Sequence, residues 1–326
     1  MGVKFMGCGA AAPVTVVSND SLRRFVDTSD EWIASRTGIR QRHLAQEQDS
    51  IVSLATVAAQ QALAMAKLDA VEIDLIVLAT SSPDDLFGSA CLIQANLGAV
   101  KAVAFDLGAA CSGFVFGMVT AAQFLETGVY RNILVIGADV LSRWLNWEDR
   151  NTCVLFGDGA GAVVMQADQQ QDLLGFEMRS DGSQNHCLHL RYEPTMQELS
   201  ADVTAQQGQF GHLAMNGKEV YRFAVNKVPE TIDKVLFAAG LTVADLDWLI
   251  LHQANQRIME AVATRLGLPA EKIISNVAEY GNTSAASIPI ALNAAVRAGQ
   301  IKAGDTIATS GFGAGLSWGA AIFRWG

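Results

Sequence analysis

Apolar runs alternate with amphipathic stretches along this chain of 326 residues. Residues 58–74 carry apolar positions at helical spacing, and the apolar run 75–78 follows after a short turn. This pattern is typical of a surface helix that leads into a buried strand. The same order occurs again before the apolar run 248–251. Alternating helices and strands predict, in each half, a mixed and largely parallel sheet covered by helices.

The two copies of this pattern lie 173 residues apart. A repeat of this length predicts two similar halves rather than a solenoid, whose period is 20–50 residues. Farther along, residues 161–164 match 319–322 at an offset of 158, so the first half holds 15 extra residues near 142–156. We place the two halves at residues 1–170 and 171–326. The 173-residue offset relates Leu68 to Leu241, Gly108 to Gly281 and strand 133–137 to strand 306–310.

A chargeless stretch covers residues 107–125 and contains Cys111, which follows the predicted strand 102–105. This order predicts a cysteine on a sharp turn between a strand and a buried helix. Unpaired N–H groups and the dipole at a helix N-terminus favour the thiolate, and so a nucleophile. The structural alternative is a small apolar residue on a buried helix. The stretch is long enough for a membrane span, but its glycines and polar residues favour a buried helix and no membrane.

Three loops at predicted strand ends carry the candidate chemistry. One holds Cys111, the second begins with His252 directly after the strand 248–251, and the third holds Asn282. A second chargeless stretch, 281–296, follows Asn282 and predicts a partner helix between the sheets. α/β folds place their chemistry at the carboxyl ends of strands. A thiol, an imidazole and an amide suit acyl transfer through a thioester, although His252 has a structural role as its alternative.

Composition narrows the class of protein. Half of the residues are apolar and 17% are charged, which predicts an ordered chain. A net charge of −10 argues against nucleic acid or an anionic membrane as the main partner. The chain has five cysteines without a CxxC pair and no secretory signal pattern at the N-terminus. Both features predict a protein without disulfides that is located in a reducing cytosol. A glycine-rich run at 7–12 and the run 186–189 with two histidines are interpreted as structural, so no metal and no permanently bound cofactor are expected.

The motifs together resemble the β-ketoacyl-[acyl-carrier-protein] synthase III family, the initiating condensing enzymes of type II fatty acid synthesis in bacteria and plastids. The resemblance covers essentially the whole chain. It implies a thiolase-like α/β fold, a five-layer αβαβα body made of two similar halves. Thiolases use a second cysteine and elongating synthases a second histidine, whereas the initiating synthases resemble this chain in having Asn282. The motifs are TSDEWI at 28–33, RTGI at 36–39, ACSG at 110–113, FGDGAGA at 156–162, HQAN at 252–255, GNTSA at 281–285 and GFGAG at 311–315.

The resemblance implies a mechanism for the candidate residues. Cys111 takes an acyl group from an acyl-CoA, and its N–H with the loop near Ala314 stabilises the oxyanion. Many relatives have glycine at position 314, and the alanine here keeps the backbone donor unless the position needs a positive φ. His252 and Asn282 then stabilise the enolate formed when malonyl-carrier protein loses CO₂. Phe312 lines the site and disfavours the carboxylate.

The resemblance also implies binding residues and partners. Trp32, Arg36 and Arg150 resemble CoA contacts, with a packed aromatic and two surface charges as the alternative. Phe87 resembles a residue that crosses a homodimer interface and shortens the acyl pocket, which favours acetyl-CoA among short acyl-CoA substrates. A cytoplasmic or plastid-stroma-like location is implied as well. The segment similar to the family's acyl-carrier-protein docking site consists of Gln253, Ala254, Asn255, Gln256 and Arg257.

Two alternatives stay open at this point. A same-fold acyltransferase or a ketosynthase of specialised metabolism would use Cys111 without decarboxylation. A catalytically silent subunit would only bind acyl chains. Acylation of Cys111 and release of CO₂ distinguish these alternatives from the condensing enzyme.

Overall fold

Two large β-sheets with a layer of buried helices between them form the body of the protein in the computed structural model, which describes residues 1–326, and three two-stranded sheets lie beside them. The strands are β1 (Gly2–Ala11), β2 (Val16–Ser18), β3 (Gln41–His43), β4 (Leu75–Ala79), β5 (Val103–Leu107), β6 (Asn132–Asp139), β7 (Gly159–Asp168), β8 (Leu173–Ser180), β9 (Leu188–His189), β10 (Tyr192–Ser200), β11 (Val203–Phe210), β12 (Ala214–Met215), β13 (Trp248–Leu251), β14 (Thr306–Gly313) and β15 (Ser317–Arg324). The helices are α1 (Asp30–Thr37), α2 (Ile51–Ala66), α3 (Ala90–Leu97), α4 (Gly113–Glu126), α5 (Gly217–Ala239), α6 (Gln256–Leu266), α7 (Val277–Tyr280) and α8 (Ser287–Arg297).

The two sheets have the same topology apart from one strand. The first has the order β1-β7-β6-β4-β5 and the second β8-β15-β14-β13. In each, the central pair (β6 and β4, or β14 and β13) is parallel and the next two strands are antiparallel. The second sheet has no counterpart of β5, because Ile273 makes only an isolated bridge to Leu249 and the short α7 follows. The predicted repeat is therefore confirmed, with this one difference.

Five layers result from the burial of apolar helix faces. Helices α2 and α3 cover the outer face of the first sheet, and α5 covers that of the second with α6 packed beside it. Helices α4 and α8 lie between the sheets, where one hydrophobic cluster joins Val135 of β6, Met118 of α4, Leu292 of α8 and Ile307 of β14. A helix that is apolar on all sides must be buried, which is why the two chargeless stretches form this central layer. The predicted five-layer fold is confirmed.

The two halves share their core. Strands of the first sheet come from residues 2–168 and strands of the second from 173–324. The central layer takes α4 from one half and α8 from the other, so neither half buries its inner face alone. The division at residues 170 and 171 stays a prediction.

Residues 7–11 of the glycine-rich run lie on β1 rather than in a phosphate-binding loop. A Cβ atom added at Gly9 would lie 2.6 Å from the backbone N of Ala62 in α2. The glycines therefore let the strand pack closely on the helix.

The run at 186–189 belongs to no group of three His, Cys, Asp or Glu side chains that could hold a metal ion. The chargeless stretch 107–125 contains the end of β5 and most of α4, and no helix is both long and apolar enough to cross a membrane.

Candidate active site

Cys111 lies on a tight turn between β5 and the buried helix α4. The preceding residue, Ala110, has φ +47°, a left-handed conformation that is uncommon for a residue with a side chain and that recurs at functional sites. Strand β14 packs against this turn through glycine. A Cβ atom added at Gly313 would lie 2.7 Å from the backbone N of Cys111. The close approach of the two segments fixes the thiol at the inner wall of a cavity.

The ionisation of Cys111 is set mainly by burial. Burial raises the pKa of this thiol to about 12, and the nearby Asp139 carboxylate also raises it. A hydrogen bond of 3.3 Å donated by the Ser284 Oγ to the Cys111 Sγ opposes this shift. Because desolvation is the largest effect on this pKa, the thiol stays protonated in the isolated chain. Desolvation therefore outweighs the groups that lower this pKa, and the contribution of the helix N-terminus to the thiolate stays a prediction.

Asn282 lies in the loop that is symmetry-related to the Cys111 turn. The turns Ala110–Ser112 and Ser284–Ala286 precede α4 and α8, so these elements repeat 174 residues apart rather than 173. The Asn282 side-chain Oδ1 accepts from the backbone N–H of Ser284 at 2.9 Å. Its Nδ2 makes no hydrogen bond within the protein, and the residue lines the cavity. The amide therefore presents its N–H donors to the cavity.

His252 follows β13 directly and is buried. Its Nδ1 lies 2.7 Å from the Oγ of Ser287, which also accepts from the backbone N–H of Gln253 at 3.3 Å. The Ser287 hydroxyl has no other acceptor, so we assign its hydrogen to Nδ1 and the ring hydrogen to Nε2. Burial lowers the pKa of His252 to about 3. The residue is therefore a neutral N–H donor, and it packs edge-on against Phe312 with ring centroids 5.3 Å apart.

A cavity of about 330 Å³ joins the predicted catalytic and CoA-binding residues. Cys111, His252 and Asn282 line it on the buried side. At its exposed side, the guanidinium Cζ atoms of Arg36 and Arg150 each lie 4.6 Å from the centroid of the Trp32 ring. The structure thus brings together residues that are far apart in the sequence. One passage connects a cationic and aromatic surface to the thiol.

Two backbone donors lie beside the thiol. The N–H groups of Cys111 and Ala314 donate to no acceptor in the protein. Ala314 has no positive φ, so its side chain causes no backbone strain and its N–H stays available as a donor. It also lines a second cavity of about 680 Å³ that contains Cys111 in its wall. Sequence reasoning did not find the apolar lining of this cavity, which includes Leu141, Phe156, Leu188 and Leu213.

The predicted docking segment is only partly available to a partner. Gln253 is 1% exposed, and its side chain bonds to the backbone of Leu251 and Asn276. Its prediction as a docking contact is therefore wrong, because this side chain cannot reach a carrier protein. Asn255 caps α6 and donates to the backbone oxygen of Arg36 at 3.0 Å. The remaining members, Ala254, Gln256 and Arg257, are partly or fully exposed.

Phe87 lies in the loop between β4 and α3 and is 98% exposed. It lines neither cavity of its own chain. Leu86, directly before it, lines the larger one. The structure therefore places Phe87 beside the acyl-sized cavity but outside it.

Comparisons with known proteins agree with this geometry. Residues 105–182 match the family model described as 3-oxoacyl-[acyl-carrier-protein (ACP)] synthase III, and residues 236–325 match its C-terminal model. The chain is 64% identical over 324 residues to the β-ketoacyl-[acyl-carrier-protein] synthase III of Acaryochloris marina, covering 99% of this chain and 98% of the relative.

Solved structures show the same likeness. The 3-oxoacyl-[acyl-carrier-protein] synthase III of Aquifex aeolicus has a TM-score of 0.91 at 44% identity, over 99% of this chain and 100% of that one. The priming β-ketosynthase of the R1128 polyketide pathway has a TM-score of 0.91 at 34% identity, over 99% of this chain and 96% of that one. Both structures therefore resemble this chain along its whole length.

Proposed function

The chain belongs to the β-ketoacyl-[acyl-carrier-protein] synthase III family, the acyltransferases of the initiating condensation in fatty acid synthesis, and we propose that Cys111 carries the acyl group through this reaction. The observation that carries the proposal is the single cavity between the Trp32 surface and Cys111. A thiol at the inner end of such a passage can receive an acyl group from a long, phosphate-bearing thioester.

Acylation is the first half of the proposed cycle. The Cys111 sulfur attacks the carbonyl carbon of the acyl-CoA, a bond from this carbon to Cys111 forms, and the bond to the CoA sulfur breaks. The oxygen becomes an anion in the tetrahedral intermediate. The free N–H groups of Cys111 and Ala314 are placed to stabilise it, and each such donor contributes about 10²–10³ in rate.

Condensation is the second half. The thioester oxygen of malonyl-carrier protein accepts hydrogen bonds from the His252 Nε2–H and the Asn282 Nδ2–H, which stabilise the enolate as CO₂ leaves. The enolate carbon attacks the acyl-cysteine, and the Cys111 thiolate departs from the 3-oxoacyl product. Phe312, which packs on His252, adds an apolar wall that disfavours the malonyl carboxylate and so favours its loss.

Binding of CoA is assigned to Trp32, Arg36 and Arg150. Both guanidinium groups already stack on the indole ring, so a planar adenine can use the same surface. Arginine also binds phosphate through a bidentate fork. Acyl-CoA is then a substrate, and no step passes through a permanently bound cofactor.

The carrier protein and a second copy of the chain are the proposed partners. Arg257 is exposed beside the cavity and can pair with an acidic carrier helix. Strand β5 is the edge of the first sheet, and Val103 on it is 50% exposed, which suits edge-to-edge pairing in a homodimer. Phe87 of the second copy would then shorten the larger cavity and favour acetyl-CoA.

All five cysteines are free, which supports a cytoplasmic or plastid-stroma-like location.

Radiolabelled acetyl-CoA and malonyl-carrier protein test the proposed function. We expect label on Cys111, release of CO₂, and a 3-oxoacyl-carrier product across a panel of short acyl-CoA substrates. Cys111→Ser is expected to lose at least about 10³-fold in rate, because an unactivated hydroxyl is a much weaker nucleophile than a thiolate. His252→Ala is expected to keep the labelling of Cys111 and lose condensation.

Each alternative has its own outcome in this experiment. Labelled Cys111 without CO₂ release would indicate an acyltransferase that does not condense. An unlabelled Cys111 would indicate a subunit that only binds acyl chains. Full activity of Cys111→Ser would contradict the mechanism.

A further inference from the structure

Two buried serines join the turn that carries Cys111 to the loop that carries Ala314, and the chemistry described above does not use them. Ser112 directly follows Cys111, and Ser317 begins β15. Their Oγ atoms lie 2.7 Å apart, a distance typical of a hydrogen bond between two hydroxyls. The residues are 205 positions apart in the sequence. This bond therefore connects the two halves of the chain directly beside the thiol.

The same two hydroxyls also contact backbone oxygens on both sides of this junction. The Ser112 Oγ lies 2.6 Å from the backbone oxygen of Ala109. The Ser317 Oγ lies 3.3 Å from the same oxygen and 3.1 Å from the backbone oxygen of Ala314. Each hydroxyl has one hydrogen, so one hydrogen lies between the two serines and the other binds one of these carbonyls. The bond between Ser112 and Ser317 is present whichever carbonyl accepts.

The two N–H donors proposed to stabilise the oxyanion lie on the segments that this bond joins. The Cys111 N–H lies next to Ser112 in the sequence, and the Ala314 N–H lies in the short loop that ends at Ser317. The Cys111 turn contains Ala110 with φ +47°, and a left-handed residue of this kind persists only where its surroundings hold it. The Ala314 loop belongs to no strand, so the position of its donor depends on contacts of this kind.

We propose that Ser112 and Ser317 are positioning residues whose hydrogen bond sets the separation of the Cys111 and Ala314 N–H groups. This inference rests on the proposed role of Cys111 as the acyl carrier. A donor stabilises the oxyanion at about 2.7–3.1 Å from it, and a misplacement of about 1 Å costs roughly 10²-fold in rate. Neither serine lines one of the two cavities at the thiol, so each acts through the backbone rather than on the substrate.

Two reactions of Cys111 separate this role from a merely structural one. Acetyl transfer from acetyl-CoA passes through a tetrahedral oxyanion, because the sulfur attacks a carbonyl carbon. Alkylation by iodoacetamide forms a bond from the sulfur to a saturated carbon as iodide leaves, and no oxyanion arises. Both rates depend on the same thiolate. The ratio of acetylation to alkylation is therefore independent of the thiolate fraction and reports the oxyanion donors.

Ser317→Thr and Ser317→Val form a matched pair, since threonine and valine have the same shape but only threonine has a hydroxyl. The single-turnover rate of Cys111 acetylation is measured for both and divided by the rate with iodoacetamide. We expect this ratio to stay within about threefold of the wild type for Ser317→Thr and to fall at least about tenfold for Ser317→Val. Ser112→Ala removes the other hydroxyl and is expected to cause a similar loss.

A double variant and a control accompany this pair. Ser112→Ala combined with Ser317→Val is expected to lose no more than the slower single variant, because both changes remove one shared bond. Thr309→Val is the control. Thr309 is also buried, and its Oγ1 donates to the backbone oxygen of Ile250 at 2.9 Å rather than to the Cys111 turn or the Ala314 loop. Its ratio is expected to stay at the wild-type value.

Equal ratios for Ser317→Thr and Ser317→Val would overturn the inference, as would losses that multiply in the double variant. Loss of both reactions in equal proportion would indicate a structural role and overturn it as well. If Ser317→Val does not fold, Ser112→Ala decides the question, because it leaves β15 unchanged. Failure of the proposed function has a different form: wild-type Cys111 would then react with iodoacetamide but take no label from acetyl-CoA.

Discussion

At the residue scale, burial decides which catalytic groups are charged. Cys111 and His252 are neutral for the same reason, because each is buried and its charged form loses hydration. Their pKa values move in opposite directions, since desolvation penalises the thiolate and the imidazolium alike. Because no charged group in the site occupies them, its N–H donors can bond to the negative charge that develops during the reaction.

The buried His252 makes a prediction about stability and pH. Its pKa is about 3 in the folded protein against 6.5 for an unperturbed histidine, so between these values the unfolded chain binds one more proton. Acidification below pH 6.5 therefore destabilises the wild type by about 1.4 kcal/mol per pH unit through this residue. We expect His252→Gln to lack this contribution. Urea unfolding at pH 7.5, 6 and 5 should show the wild type losing stability relative to the variant as the pH falls.

The comparison of the two proteins at each pH removes effects that do not depend on His252. Any packing cost of the glutamine is constant with pH and shifts all values equally. A difference between wild type and variant that is the same at pH 7.5 and pH 5 would contradict the folded-state pKa. The sequence located this histidine at a strand end, but its ionisation depends on neighbours from distant parts of the chain.

At the element scale, close contacts between glycine and backbone hold the layers together. Strand β1 packs on α2 at Gly9, where an added Cβ atom would lie 2.6 Å from the Ala62 N and would also collide with the backbone oxygen of Ala58. Neither backbone atom can move without shifting the helix. We expect Gly9→Ala to destabilise the protein by about 1–3 kcal/mol. Urea unfolding at neutral pH measures the loss.

Gly182→Ala is the control for this prediction. An added Cβ atom at Gly182 would meet no atom within 4 Å, and the residue has no positive φ. Its variant is expected to change the free energy of unfolding by less than about 0.5 kcal/mol. Equal stability of the Gly9 and Gly182 variants would show that strand and helix can separate without cost.

The repeat made the elements of both halves predictable, but not their differences. Matching helices and strands at a constant offset identified the two sheets and the helices between them. The second half has a bridge at Ile273 and the short α7 where the first half has the strand β5, and no sequence signal separated these outcomes. The exposed β10–β11 hairpin also lies outside the repeat. The candidate site was predicted at the level of Cys111, His252 and Asn282, whereas the hydrogen bond from the Ser284 hydroxyl to the Cys111 thiol required the packing of both halves.

At the scale of the whole molecule, the catalytic groups come from different halves. Cys111 belongs to the first, and His252 and Asn282 belong to the second. Cys111 and Asn282 lie before the central helices α4 and α8, and His252 follows β13 of the second sheet. Because this layer is shared, the site forms only when both sheets have packed on it. The relation of thiol, imidazole and amide is thus fixed by the main hydrophobic core rather than by a flexible loop.

In the proposed homodimer, Phe87 of the second copy forms part of the wall of the larger cavity. Two variants test this proposal. Val103→Lys places a charge on the unpaired edge of β5 and is expected to yield a monomer, whereas Phe87→Ala is expected to remain dimeric. Both should shift kcat/KM from acetyl-CoA towards octanoyl-CoA by at least about tenfold, because the larger cavity loses an aromatic wall. Sedimentation and the acyl-CoA panel measure the two properties.

The control keeps the charge change but moves it away from this edge. Phe237 is 86% exposed on α5 of the second half, so Phe237→Lys is expected to leave the mass and the chain-length preference unchanged. A monomeric wild type would contradict the dimer. A dimeric Phe87→Ala variant with an unaltered chain-length preference would be compatible with pairing through β5, but it would show that Phe87 does not line the acyl cavity. Other residues of the second copy would then close the larger cavity near Leu86.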